Sequence, residues 1–165
     1  MSVPSEGAGG RQDESAAFGR WPETIVGAAG DRQWFESLLG KACRVLLHSD
    51  QTRGRLSQIE VRTSPGERMP SLRHGATDLL INVLDGAFLL TGEGEERLLT
   101  AGTFAAIPRG AAHRWRALRP GSRALLTFSP GGIEALLRAC SSQRSGDLPN
   151  LARTFGTEIG DVDDP

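Results

Sequence analysis

From Lys41 to Ser129 the chain reads as short, apolar, β-rich runs separated by turn chemistry. The turns are Asp85-Gly86, Gly92-Glu93-Gly94, Ala101-Gly102, Pro108-Arg109-Gly110 and Pro120-Gly121. Between them stand apolar, β-prone runs: ACRVLLH, RLSQIEVR, DLLINVL, AFLLTG, EERLLT, TFAAIP, HRWRAL and SRALLTFS. Strands this short at this spacing predict an all-β antiparallel sandwich or barrel.

The flanks read differently. Residues 1–19 are rich in Gly, Ser, Ala and charge and bury too little to order themselves, so a disordered tail is expected. A lead-in follows, with apolar anchors at Trp21, Ile25, Val26, Trp34 and Phe35, and belongs with the strands in one domain spanning 20–130. In GGIEALLRAC, Ile133, Leu136, Leu137 and Cys140 recur at helical spacing. A polar break and a second short helix, LPNLARTFG, then lead to an acidic end, so 131–165 reads as a helical segment with an acidic tail.

Composition removes several functions. The net charge of −1 offers no electrostatic case for nucleic acid or an anionic membrane. Of 19 Lys and Arg residues only Lys41 is lysine, a sign of GC-rich bacterial coding. Cys43 and Cys140 show no metal-type spacing and read as reduced thiols. With neither a signal-peptide run nor a membrane-length apolar segment, a cytoplasmic protein is expected. GEGEER is a hairpin turn and not a phosphate loop, because no helix with Lys-Ser/Thr follows it.

The chemistry concentrates in two stretches. Gly102 to His113 has the spacing G-x5-P-x-G-x2-H, in which Gly102, Pro108 and Gly110 shape turns and His113 points inward on the next strand. Upstream lies GERMPSLRHGATDLLINVLDG. Its outer glycines, Gly66 and Gly86, place Leu72, His74 and Leu79 at fixed positions between them. The first stretch resembles the second motif of the cupins, and the other resembles their first motif, G-x5-H-x-H-x4-E-x6-G. With the lead-in WFESLLGKACRVL and the trailing SPGGIEALL and LARTFG, the resemblance to small single-domain bacterial cupins related to quercetin dioxygenases covers residues 30 to 160.

That resemblance implies a jelly-roll barrel with a ligand-holding interior and a C-terminal helical segment, and it suggests a homodimer. In metal-bound cupins three histidines and a glutamate hold the ion. Here the matching positions are Leu72, His74, Leu79 and His113, so a four-ligand site cannot form and no cofactor is expected. Only a β-bulge near residues 76–78 would turn Asp78 inward to give a reduced set of His74, His113 and Asp78.

The remaining site residues follow from alternation. Trp115 shares the inward face of His113, as either an aromatic wall or core. Ala117 stands where the family often carries asparagine. Leu72, Leu79, Ile81 and Val83 would line a greasy cage or simply fill the barrel. Gln58 and Glu60 share one face, and would add polar groups to the pocket if that face is the interior. Arg114, Arg116 and Asn82 should face outward, and His48, before a turn, should be exposed.

Three functions fit. The first is a metal-independent enzyme, a cyclase or isomerase of bacterial secondary metabolism, acting on a small apolar or aromatic molecule with His113 and His74 moving protons near neutral pH. The second is a non-catalytic small-molecule-binding or regulatory module. The third is a metal-dependent dioxygenase with the reduced ligand set.

Overall fold

The computed structural model describes residues 23–37, 41–63, 69–141 and 147–160. The expectations for the tail at 1–19, for Trp21, for Gly66 and for the acidic end lie outside them. Among the described residues eleven strands form: β1 (Phe35–Ser37), β2 (Lys41–Leu47), β3 (Ser57–Arg62), β4 (Leu72–His74), β5 (Asp78–Asp85), β6 (Ala87–Gly92), β7 (Glu95–Thr100), β8 (Phe104–Ile107), β9 (Ala112–Ala117), β10 (Arg123–Ser129) and β11 (Thr157–Ile159). Two helices, α1 (Ile133–Cys140) and α2 (Leu148–Thr154), sit between β10 and β11. One sheet has the order β1-β2-β3-β10-β5-β8 and the other β11-β4-β9-β6-β7. The expected jelly-roll barrel and C-terminal helices are thus present.

Alternation decides which side chains meet. Along β5, Leu79, Ile81 and Val83 are buried while Leu80 and Leu84 are exposed. Along β9, His113, Trp115 and Ala117 are buried and Arg116 is exposed, with Arg114 half-buried between them. The two inner faces interdigitate into one core that includes Ile59, Phe88, Trp115, Leu126 and Phe128. Phe88 and Trp115 pack with ring centroids 5.0 Å apart.

Two turns show why their residues are needed. Gly86 has φ +75°, and a Cβ there would lie 2.2 Å from Ser122 Oγ, so both the conformation and the approach of β10's leading turn require glycine. Glu93 and Gly94 both have positive φ (53° and 79°), the two-residue turn whose twist suits a hairpin, and β6 pairs with β7 directly across it.

The ends close the barrel. In α1, Ile133, Leu136, Leu137 and Cys140 are buried, the helical stripe expected. Its start is pinned by Glu134, whose two oxygens accept from the backbone N–H groups of Ser49 (2.8 Å) and Gly132 (2.9 Å). In the lead-in, Trp34 stacks on the guanidinium groups of Arg44 and Arg62 at 4.6 and 4.9 Å, and Phe35 on that of Arg138 at 4.7 Å. Val26 is 90% exposed and so is no anchor. The strands β4 and β11 are absent from the run pattern because each has three residues, too few to show a period.

Candidate functional site

The turn at Pro108–Gly110 brings the two histidines together. Gly110 takes φ +82° and donates its N–H to the His74 carbonyl at 2.8 Å, tying the turn before β9 to the end of β4. Strand β4 then pairs with β9 so that Leu72 opposes His113. The His74 and His113 rings lie 5.3 Å apart, both at least 96% buried. Phe128 meets the His74 ring edge-on at 5.6 Å.

Hydrogen bonding gives the two imidazoles different orientations. His113 Nδ1 lies 3.3 Å from the Ala111 carbonyl oxygen, which can only accept, so Nδ1 carries the proton. Nε2 then presents a lone pair, and it is buried with no hydrogen-bond partner among the described residues. His74 Nδ1 is 3.0 Å from Thr157 Oγ1, a contact across the β4–β11 pair. Burial, and secondarily the neighbouring His113, pushes His74 down to about 4. Burial also lowers His113, against a smaller opposing effect of the Ala111 carbonyl. His74 is therefore neutral at pH 7, and the expectation that it exchanges protons near neutrality is corrected: water is too well excluded to stabilise its cation.

The donor set does not fit a metal cage. Leu72 and Leu79 are buried and face inward beside the histidines, and leucine has no lone pair to give. Asp78 does not substitute. Its side chain is 49% exposed, and its oxygens accept from the Arg109 backbone N–H (2.9 Å) and guanidinium (3.1 and 2.8 Å), which hold its carboxyl down to about 2. The strand keeps plain alternation from Asp78 onward, with no inward-turning bulge, so Asp78 faces away from His74 and His113. Among the described residues no group of three or more His, Cys, Asp or Glu is placed to hold an ion.

The other expected residues divide. Trp115, Leu72 and Leu79 line a void at the barrel centre with His74, His113 and Leu126, whereas Ile81 and Val83 point inward but pack away from it. Gln58 and Glu60 are on the wrong face. On β3 it is Ile59 and Val61 that enter the core. Glu60 instead lies under the outer surface of its sheet, accepting from Arg44 Nε at 2.8 Å and from Arg123 at 3.2 Å, and Gln58 donates to Thr127 at 3.2 Å. Glu60 is buried, yet its burial serves an ion-pair network. His48 is half-buried, not exposed, at the start of a short 3-10 turn. The sequence pattern did not reveal Met69 or Thr157 as wall residues, nor α1's Ile133, Leu136 and Leu137 as the lid over the void.

The central void is only about 30 Å³, about the share of one water molecule in liquid. The expected ligand-holding interior is therefore filled with side chains. A larger space adjoins it. Between the two sheets, near their edge strands β7 and β8, a cleft of about 210 Å³ is lined by Leu90, Ile107, Pro108, Ala111, His113, Glu95 and Arg97. His113 lines both the cleft and the void.

Comparison with known proteins agrees with this architecture. The family model for the cupin domain matches residues 59–129. Among solved structures the chain is similar to KdgF from Halomonas sp. (24% identity, TM-score 0.61, 68% of this chain and 99% of that one). It is also similar to an RmlC-like cupin from Shewanella frigidimarina (16%, TM-score 0.58, 70% and 99%) and to the polyketide cyclase RemF from Streptomyces resistomycificus (22%, TM-score 0.54, 66% and 80%). No curated protein is detectably similar to the chain. With its two-sheet barrel, its cupin-domain match over residues 59–129 and these neighbours, the chain has the jelly-roll fold of the cupins.

Proposed function

We propose that this cupin-fold protein works without a metal and takes a small, largely apolar or aromatic molecule in the cleft at the barrel mouth, its reacting or recognised group set against His113 Nε2. One observation carries the reading: Nε2 is a buried acceptor without a partner among the described residues, on a residue that lines the cleft. Leaving such an atom unpaired costs about 1–3 kcal/mol, which a ligand hydroxyl would recover. The barrel centre, at about 30 Å³, has room for no more than about one water molecule, whereas the cleft at about 210 Å³ compares with an engineered cavity of about 150 Å³ that holds benzene.

The chemistry is proton movement. Neutral His113 accepts a proton at Nε2 from an acidic position, such as a phenol, an enol or a carbon beside a carbonyl, and returns it elsewhere on the same molecule. Nothing is oxidised or reduced overall, as suits a cyclase or isomerase-type tailoring step of secondary metabolism. Fold-sharing with the polyketide cyclase RemF is compatible with that class of reaction on such a barrel. His74, lowered to about 4, is the weaker base of the two and serves as a neutral polar neighbour.

A binding-only role is the second reading, and the lowered basicity of both imidazoles favours it. Metal analysis of protein purified without chelators, followed by a screen of phenolic and enolic aromatics against wild type and His113→Ala, tests the proposal. Sub-stoichiometric metal, with turnover lost and binding kept in His113→Ala, is the expected result. Stoichiometric iron, manganese, nickel or zinc overturns it, and binding that depends on His113 without turnover selects the second reading.

A further inference from the structure

The arginines that alternation turns outward do not all end on a flat, solvated face. On β4, Arg73 stands between buried Leu72 and His74; on β9, Arg114 stands between buried His113 and Trp115. Both therefore belong to the outer surface of their sheet. Arg73 opposes Ala112, and Arg114 lies two residues further along β9. The two arginines are thus diagonal neighbours, about 7–8 Å apart between Cα atoms and within reach of each other's long side chains. Thr91 of β6 directly opposes Arg114, and Ser71 immediately precedes β4.

Flanking elements make a groove of this surface. Strand β11 lies along β4, with Glu158 opposite Arg73 and the Gly160 N–H donating to the Ser71 carbonyl at 2.8 Å. Helix α2, just before β11, contributes Arg153 to the lining, and the turn between β6 and β7 contributes Glu93. The space is about 540 Å³, within the range of about 300–1,000 Å³ that small-molecule sites occupy. Three arginines from three elements and two glutamates give the lining a net charge of +1. The glutamates answer the arginines incompletely. Glu158 reaches Arg73 Nε only at 3.5 Å, and the two side chains are 72% and 52% exposed. A strong charge-assisted bond measures about 2.7–2.9 Å, so this pair is weak and readily exchanged. Arg153 donates to the neutral side chain of Asn150 at 3.0 Å.

We infer that this outer groove is a second binding site, for a phosphate group either free or esterified to a small hydroxylated molecule. Arg73 and Arg114 are its clamp, and Arg153 adds a third cation from the wall. The planar guanidinium fork matches phosphate oxygens two at a time, which a solitary carboxylate at 3.5 Å does not exploit. The hydroxyls of Ser71 and Thr91 can donate to the same anion, and Glu93 and Glu158 can accept from hydroxyls of an ester's organic part. The site is independent of the cleft, whose lining includes none of these three arginines.

The test titrates the full chain with glycerol phosphate, inorganic phosphate and glycerol, followed by calorimetry and by the Nε resonance of Arg73. Glycerol phosphate should bind one equivalent per chain and shift that resonance, whereas glycerol should do neither. Arg73→Gln and Arg114→Gln should each weaken binding about tenfold or more, the size of a lost hydrogen bond to a charged group. Arg73 is 52% exposed, so its variant should fold. Arg114 is half-buried, and Arg114→Lys, which keeps the charge and loses the fork, replaces the glutamine variant if that one lowers Tm. Glu158→Gln removes the competitor for Arg73 and should tighten binding about two- to fivefold. Arg119→Gln, at an exposed arginine outside the groove, should change affinity less than about twofold. An ester that binds more tightly than inorganic phosphate identifies the ligand as a phosphate ester, and equal affinities identify it as the free anion; either result supports the site. If neither phosphate probe binds, or if Arg119→Gln weakens binding as much as Arg73→Gln does, the groove is a solvated face and this inference falls, with the cleft reading untouched.

Discussion

Acidification should weaken the fold through His74, and the size of the effect follows from its surroundings. The ring is 96% buried between His113, Phe128 and Thr157, and its titration is lowered from 6.5 to about 4. A depressed histidine contributes fully above its unfolded value, because there both states are neutral. As pH falls below 6.5 the unfolded chain takes up a proton that the folded chain refuses, so stability drops until the folded group also titrates. Each pH step of one between those two titrations removes about 1.4 kcal/mol, so the loss reaches about 2 kcal/mol by pH 5 and about 3 kcal/mol by pH 4. Asp78 does not interfere, since its depression from 3.8 to about 2 acts below that window. The assay is urea denaturation of wild type and His74→Gln between pH 7 and 4.5. Glutamine cannot titrate, so the variant should be less stable at pH 7 but lose about 2 kcal/mol less than wild type on going to pH 5. Parallel decline of the two proteins would refute both the burial argument and the neutral state assigned to His74.

Three further perturbations test other parts of the structure. Leu72→His combined with Leu79→Glu should create a four-donor set with His74 and His113, seen as one equivalent of zinc or nickel per chain by calorimetry and a metal-dependent rise in Tm; no binding would show that these positions do not converge. Glu60→Ala strips the partner from a largely buried Arg44 and should cost about 3–5 kcal/mol in denaturant unfolding while leaving probe binding in the cleft unchanged; a cost below about 1 kcal/mol would place the network at the surface after all. Asp78→Asn breaks an exposed pair with Arg109 and should change stability by no more than about 1 kcal/mol, with metal content unaltered; altered metal content would make Asp78 a ligand after all.

Much of the barrel was legible because alternation is a local property. One inward residue on β5 or β9 dictates its neighbours two away, so Leu79, Ile81, Val83, His113 and Trp115 could all be oriented from spacing and turn glycines. Gln58 and Glu60 could be paired on one face by the same rule, yet alternation does not say which face is the interior. Ile59 and Val61 settle that, through packing that no local pattern encodes. Glu60 shows the hazard, since a buried carboxylate looks like a site until Arg44 and Arg123 are seen to neutralise it.

What the chain alone determined is the barrel, the convergence of His74 with His113, and the absence of two metal donors, since each depends on residue identity at a set register. What only the tertiary structure decided is where a ligand can go. The C-terminal residues Ile133, Leu136, Leu137 and Thr157, remote in sequence, close the centre to about 30 Å³, while near the edge strands β7 and β8 a cleft remains, lined by His113, Gly92 and Glu95 among others. Space between elements is a property of how sheets and helices pack against each other, and it appears only when distant segments are assembled.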